Sequence, residues 1–79
     1  MNNQCLNDLA VGGRGRVGRL TMDGSMRRRL LDLGFLADTP VECVGRSPGG
    51  DPRAYLIRGA VVAIRLADGA GILLKEEGE

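Results

Sequence analysis

The densest potential for chemistry in this sequence lies in its arginines. Arg27, Arg28 and Arg29 stand side by side, and Arg14, Arg16 and Arg19 precede them at close spacing. Clustered guanidinium groups can hold phosphate or carboxylate through forked hydrogen bonds, or steer an acidic protein surface into place. Gly13-Arg14-Gly15-Arg16-Val17-Gly18 also fits G-x-G-x-x-G, the spacing with which dinucleotide-binding folds cradle a pyrophosphate on backbone amides. That chemistry needs a strand before the motif and a helix opening after it. Here a polar lead-in precedes it and a strand-like stretch follows, so the motif reads as a glycine-rich turn entering a bent strand. The arginine run has a plainer reading as well, a solvated helix face with Asp23 and Asp32 as neighbours.

Metal and nucleophile chemistry have little to work with. The chain has no histidine and two cysteines, Cys5 and Cys43, far apart and outside any C-x-x-C spacing. Cys43 alternates with Val41, as a small core residue would. No cofactor is expected, and weak transition-metal binding would have to rely on carboxylates without ligand spacing. No candidate nucleophile has a histidine base, and a chain of 79 residues leaves little room for a pocket that buries a substrate. An enzyme is not expected.

The elements that must position these residues are short. The composition, 43% hydrophobic and 27% charged, is that of one globular domain spanning 1–79. An ordered core is expected over 5–75 and a frayed acidic tail over 76–79. The aromatic residues are Phe35 and Tyr55, so the core is aliphatic. A net charge of +1 is too balanced for a dedicated nucleic-acid binder. The N-terminus carries no basic n-region, and the longest apolar run, Ala60 to Ile64, is far below membrane-spanning length. Cysteine usage fits a reducing cytoplasm.

Glycines punctuate short apolar segments throughout, the pattern of a small barrel. Leu6 to Leu9 reads as one helical turn. A first strand follows from Arg14 to Leu20, with a bend or bulge at Gly18, because Val17 and Leu20 cannot share a face of a regular strand. The one convincing helix runs from about Ser25 to Leu33, capped by Ser25 or Asp23, with Met26, Leu30 and Leu33 on one stripe. Gly34 is the left-handed stop, and Phe35 can then pack on Leu30. Further strands are expected at Thr39 to Gly45, Ala54 to Arg58, Val61 to Leu66 and Ile72 to Lys75. Gly59-Ala60 would form a type II′ hairpin turn, and barrel closure would remove exposed sheet edges.

In their order, four segments resemble the FeoA family. Leu6-Asn7-Asp8-Leu9 with Gly12 is similar to its opening. Arg29 to Phe35, Arg-Leu-Leu-Asp-Leu-Gly-Phe, is similar to its helix and stop. Ser47 to Pro52 resembles its P-x-G-D-P loop, and Arg58-Gly59, Ala63-Ile64-Arg65 and Ile72 its closing pattern. Two departures stand out. Ala37-Asp38-Thr39 replaces the usual Pro-Gly-Thr, so that turn must be made differently. Gly69 takes the place of an apolar residue, which should weaken packing before the last strand.

The resemblance implies a mainly β, SH3-like barrel of about five strands with one inserted helix. It implies a cytoplasmic, non-enzymatic accessory of ferrous-iron uptake that docks on FeoB, a membrane transporter with a GTPase domain. The partner-binding residues expected on this basis are Arg27 and Arg28 for orientation, Leu30 and Leu31 for apolar contact (Leu31, off the stripe, being the surface one), and Asp51 and Pro52 for the neighbouring loop. Two other readings remain at this point: a small nucleic-acid-binding barrel, and an Fe(II)-sensing regulatory module.

Overall fold

The computed structural model describes residues 4–75; the tail expected to fray lies outside them. Five strands form one antiparallel sheet in the order β4-β3-β2-β1-β5, where β1 is Arg14–Leu20, β2 Pro40–Arg46, β3 Arg53–Ile57, β4 Ala60–Ile64 and β5 Ile72–Leu74. The helix expected between the first two strands is present as α1, Gly24–Leu33.

β1 makes the sheet curl. Its first half pairs with β2 through Arg14 to Arg16, and its second half pairs with β5 through Val17 to Leu20. The β5 register shifts between Val17 and Arg19, the expected bulge at Gly18. The inserted residue brings both Val17 and Leu20 to the core, Val17 fully buried and Leu20 packed against it from the rim. Val41 and Cys43 of β2, Tyr55 and Ile57 of β3, and Ile72 of β5 fill the interior by strand alternation. Cys43 is indeed a buried core residue.

The stop of α1 follows its residues closely. Gly34 has φ +113. Its N–H donates to Leu31 O at 3.0 Å, and the Phe35 N–H donates to Leu30 O at 3.0 Å, the paired closing bonds of a Schellman stop. Leu30 and Phe35 are both 1% exposed in the same core cluster. The next turn is built on Asp38, with φ 73, in the left-handed region that aspartate tolerates. Its N–H donates to Val17 O at 2.7 Å and its carboxylate accepts from Lys75 Nζ at 3.0 Å.

Three expectations are corrected. The β3–β4 turn is Arg58-Gly59, both with positive φ (51 and 83), and Ile57 faces Ala60 across it. The turn is therefore type I′ and starts one residue earlier than a Gly59-Ala60 turn would. Residues 66–69 form a short helix, α2, Leu66–Gly69, where the strand was expected to run on to Leu66. Gly69 does not loosen its surroundings. It is buried, and Asn7 lies so close that a Cβ would meet the Asn7 side chain; Asn7 Nδ2 in turn donates to Leu66 O at 2.9 Å.

Sheet edges are not both removed. β5 is covered by an antiparallel bridge from Cys5 to Leu73, beside the 3-10 turn Leu6–Asp8. That turn is pinned to the barrel by Arg53 Nη1, which donates to Asn7 O and Leu9 O at 2.9 and 3.0 Å, and by the Tyr55 hydroxyl, which donates to Leu6 O at 3.3 Å. β4 pairs with β3 alone among the described strands.

Candidate functional site

α1 presents the arginine run to solvent. Arg27, Arg28 and Arg29 are all exposed, and Met26, Leu31 and Leu33 are half-buried. Arg27 Nη1 donates to Leu20 O at 3.2 Å, which turns that guanidinium back toward the end of β1. Arg27 closes the first turn of α1, behind Asp23 at the N-cap, where the helix dipole mildly disfavours a cation; Arg28 and Arg29 lie in the second turn, beyond that effect. The run forms a solvated basic face that is open to an acidic partner. Leu30 must be corrected. It is 1% exposed and belongs to the core, because it lies on the same stripe as Met26 and Leu33 and forms the Schellman contact with Phe35. Leu31 is the leucine of this pair that reaches the surface.

Beside α1 lies a cleft of about 410 Å³. Met26, Arg29, Leu30 and Leu33 form one side, and Pro52, Ala63, Ile64, Arg65 and Asp68 form the other. Its base is apolar, since Leu30 and Ile64 are buried, and its mouth carries two guanidinium groups and one carboxylate. Pro52 thus joins the site. Asp51 turns away from it: its carboxylate accepts the Leu66 N–H at 3.0 Å and so caps the start of α2.

Of the six residues expected from sequence, Arg27, Arg28 and Leu31 form an accessible face, while Leu30 and Pro52 form the base and wall of the neighbouring cleft. Asp51 holds the loop together. The cleft also needs Arg29, Met26, Leu33, Ala63 and Arg65. Arg29, Met26 and Leu33 were visible in the run and the stripe. Ala63 and Arg65 stood in the closing pattern of the resemblance, but nothing local marked them for the cleft, because their place opposite α1 depends on how the barrel folds.

Among the described residues no three of His, Cys, Asp or Glu converge. Gly13 to Gly18 forms a turn and a bulged strand that runs on to Leu20 before α1 starts at Gly24, so no helix N-terminus opens from the motif and no phosphate cradle is built. Among the described residues the titrating group with a clear shift is Tyr55, whose phenol is pushed above 10.0 by burial first and by the nearby Cys43 second, with Arg53 opposing. It is sealed inside the core and not open to substrate.

A protein-family model for the FeoA domain matches residues 4–76. The chain belongs to the FeoA family. The likeness extends to solved structures. The FeoA protein of Chlorobium tepidum is 28% identical with a TM-score of 0.85, over 95% of this chain and 75% of that one. A FeoA-like protein of Clostridium acetobutylicum is 26% identical with a TM-score of 0.84, over 100% of this chain and 93% of that one. A zinc-complexed FeoA of Stenotrophomonas maltophilia, described as a prokaryotic SH3 domain protein, shares the fold at 22% identity and a TM-score of 0.80, over 91% and 89% of the two chains. Comparison with curated proteins gives no match. The FeoA fold is thus the mainly β, SH3-like barrel that the segment pattern implied. Among the described residues no helix is long and apolar enough to cross a membrane.

Proposed function

We propose that this FeoA chain is a non-enzymatic adaptor of bacterial ferrous-iron uptake, acting in the cytoplasm by docking α1 and its flanking cleft on the cytoplasmic part of the FeoB transporter. The observation that carries this reading is the division of α1. Leu30 anchors the helix in the core, while Arg27, Arg28, Arg29 and Leu31 remain at the surface beside an apolar-based cleft. A rigid apolar centre with a charged rim is the anatomy of a protein-docking patch. The arginines would raise the rate of encounter and set orientation, and no cofactor takes part. Family membership supports the link to iron, and the Stenotrophomonas maltophilia protein is named as a candidate ferrous-iron transport activating factor.

The test is titration calorimetry with the purified cytoplasmic domain of FeoB. Binding is expected, and Arg28→Glu with Arg29→Glu should weaken it by about tenfold or more and flatten its loss with salt, because the attraction that salt screens is gone. Absence of heat at protein concentrations on the order of tens of micromolar, the regime of a weak transient complex, would sink the proposal.

A further inference from the structure

β4 is an open edge of an unusual kind. The two-residue turn makes Ile57 and Ala60 an opposed pair, and the ladder continues with Tyr55 opposite Val62 and Arg53 opposite Ile64. Hydrogen-bonded pairs alternate along an antiparallel ladder, beginning at the pair that closes a two-residue turn. The N–H and C=O groups of Ala60, Val62 and Ile64 therefore turn toward β3. Those of Val61 and Ala63 turn outward, where no described strand meets them. Exposed edges are commonly blunted by charge, proline or a bulge. β4 reads Ala-Val-Val-Ala-Ile and keeps a regular register, whereas the β1–β5 and β2–β3 ladders both shift. The opposite edge of the sheet is covered by Cys5.

α1 lies alongside this edge. At the C-terminal end of α1, the Arg58 side chain passes over Gly34. Farther back along the helix, Met26, Arg29 and Leu30 face Ala63, Ile64 and Arg65 across the cleft. One wall is thus a strand with free backbone groups, and the other is a helix presenting Met26 and Leu33. We propose that the groove between β4 and α1 receives an extended segment of another protein as a sixth strand, with apolar side chains at alternate positions and a carboxylate at each end. Backbone bonds to Val61 and Ala63 would supply affinity, and the cleft would supply selectivity.

Charge identifies the occupant. Arg29 and Arg65 line the groove and Arg58 stands exposed at its end, against a single lining acid, Asp68. The ion pairs among the described residues are Arg14–Glu42 and Lys75–Asp38, so none of these three arginines is neutralised by one. A second copy of the chain fits less well. Antiparallel pairing of two β4 strands about Val62 would bring Arg65 of one against the Arg58-Gly59 turn of the other, placing like charges together.

The groove rests on the adaptor reading for its biological partner, but it can be tested without any transporter, so either can fail alone. The full chain, ¹⁵N-labelled, is titrated with a capped synthetic peptide of alternating valine and threonine with a glutamate at each end. Saturable binding is expected, slowing hydrogen exchange at the Val61 and Ala63 amides and not at Leu73 on the far edge. The same peptide N-methylated at every interior amide should bind at least about tenfold more weakly, the effect of losing two or more backbone hydrogen bonds. Ala63→Pro should have a similar effect, because it removes an outward N–H and leaves the β3 ladder bonded. If that variant does not fold, the N-methylated peptide decides on the unaltered chain. Three results overturn the proposal: no saturable binding, equal binding of the N-methylated peptide, or a dimer in sedimentation equilibrium that Ala63→Pro dissolves, which would assign the edge to a second copy.

Discussion

The side chain of Arg58, in the β3–β4 turn, lies across Gly34 at the C-terminus of α1, so that a Cβ on Gly34 would stand 2.6 Å from Arg58 Cδ. The contact joins the helix stop to the hairpin through the aliphatic stem of Arg58. Gly34→Ala should therefore cost about 1–3 kcal/mol from backbone strain at φ +113, with a further steric loss. The steric part should disappear in the Gly34→Ala, Arg58→Ala double variant. A double-mutant cycle from urea unfolding measures the coupling, and additive effects of the two substitutions would show that the residues do not press on each other.

Leu30 and Leu31 are neighbours with opposite duties. Leu30→Ala should destabilise the fold by about 2–5 kcal/mol, as truncation of a buried leucine does. Leu31→Ala should change stability by less than about 1 kcal/mol, in keeping with a residue near the surface, and should instead weaken binding to the FeoB cytoplasmic domain. Chemical denaturation and calorimetry on the two variants separate these effects. Equal destabilisation would mean that Leu31 is a core residue too.

Asp51 acts through α2. Asp51→Ala should cost about 0.5–2 kcal/mol, the usual range for removing a side-chain cap. Asp51→Asn, which keeps an acceptor for the Leu66 N–H, should recover most of that loss. Faster amide exchange at Leu66 in the alanine variant alone would locate the effect. If both variants weaken transporter binding while stability and exchange stay unchanged, Asp51 is a contact and not a cap.

Tyr55 makes stability fall at high pH. Its phenol titrates above 10.0 in the folded chain, mainly through burial. The unfolded chain loses the proton first, so stability from this group is complete below pH 10.0 and declines as pH rises from there through the folded pKa. Because Tyr55 is the only tyrosine and tryptophan is absent, ultraviolet titration reads it without overlap. The folded chain should ionise at higher pH than the chain in urea, and Tyr55→Phe should flatten that part of the stability profile. Coincident titration curves would contradict the assignment.

Local rules settled much of this molecule from sequence alone. The stop of α1 was legible because a left-handed glycine and a following phenylalanine satisfy backbone and packing within six residues. The bulge at Gly18 was legible because Val17 and Leu20 conflict on a regular strand. The absence of histidine and the alternation of Cys43 with Val41 turned the reading away from metal chemistry by composition and period. Tertiary structure decided the rest. Arg65 joins Arg29, and Arg58 reaches Gly34, only because curling of the sheet lays α1 along β4, and no spacing along the chain encodes that approach. Asp51 became a cap only when α2 formed opposite it, and α2 is too short to leave a periodic signature. The open edge of β4 is likewise a property of strand order: a run of five small apolar residues reads the same whether its backbone is paired on one side or on both.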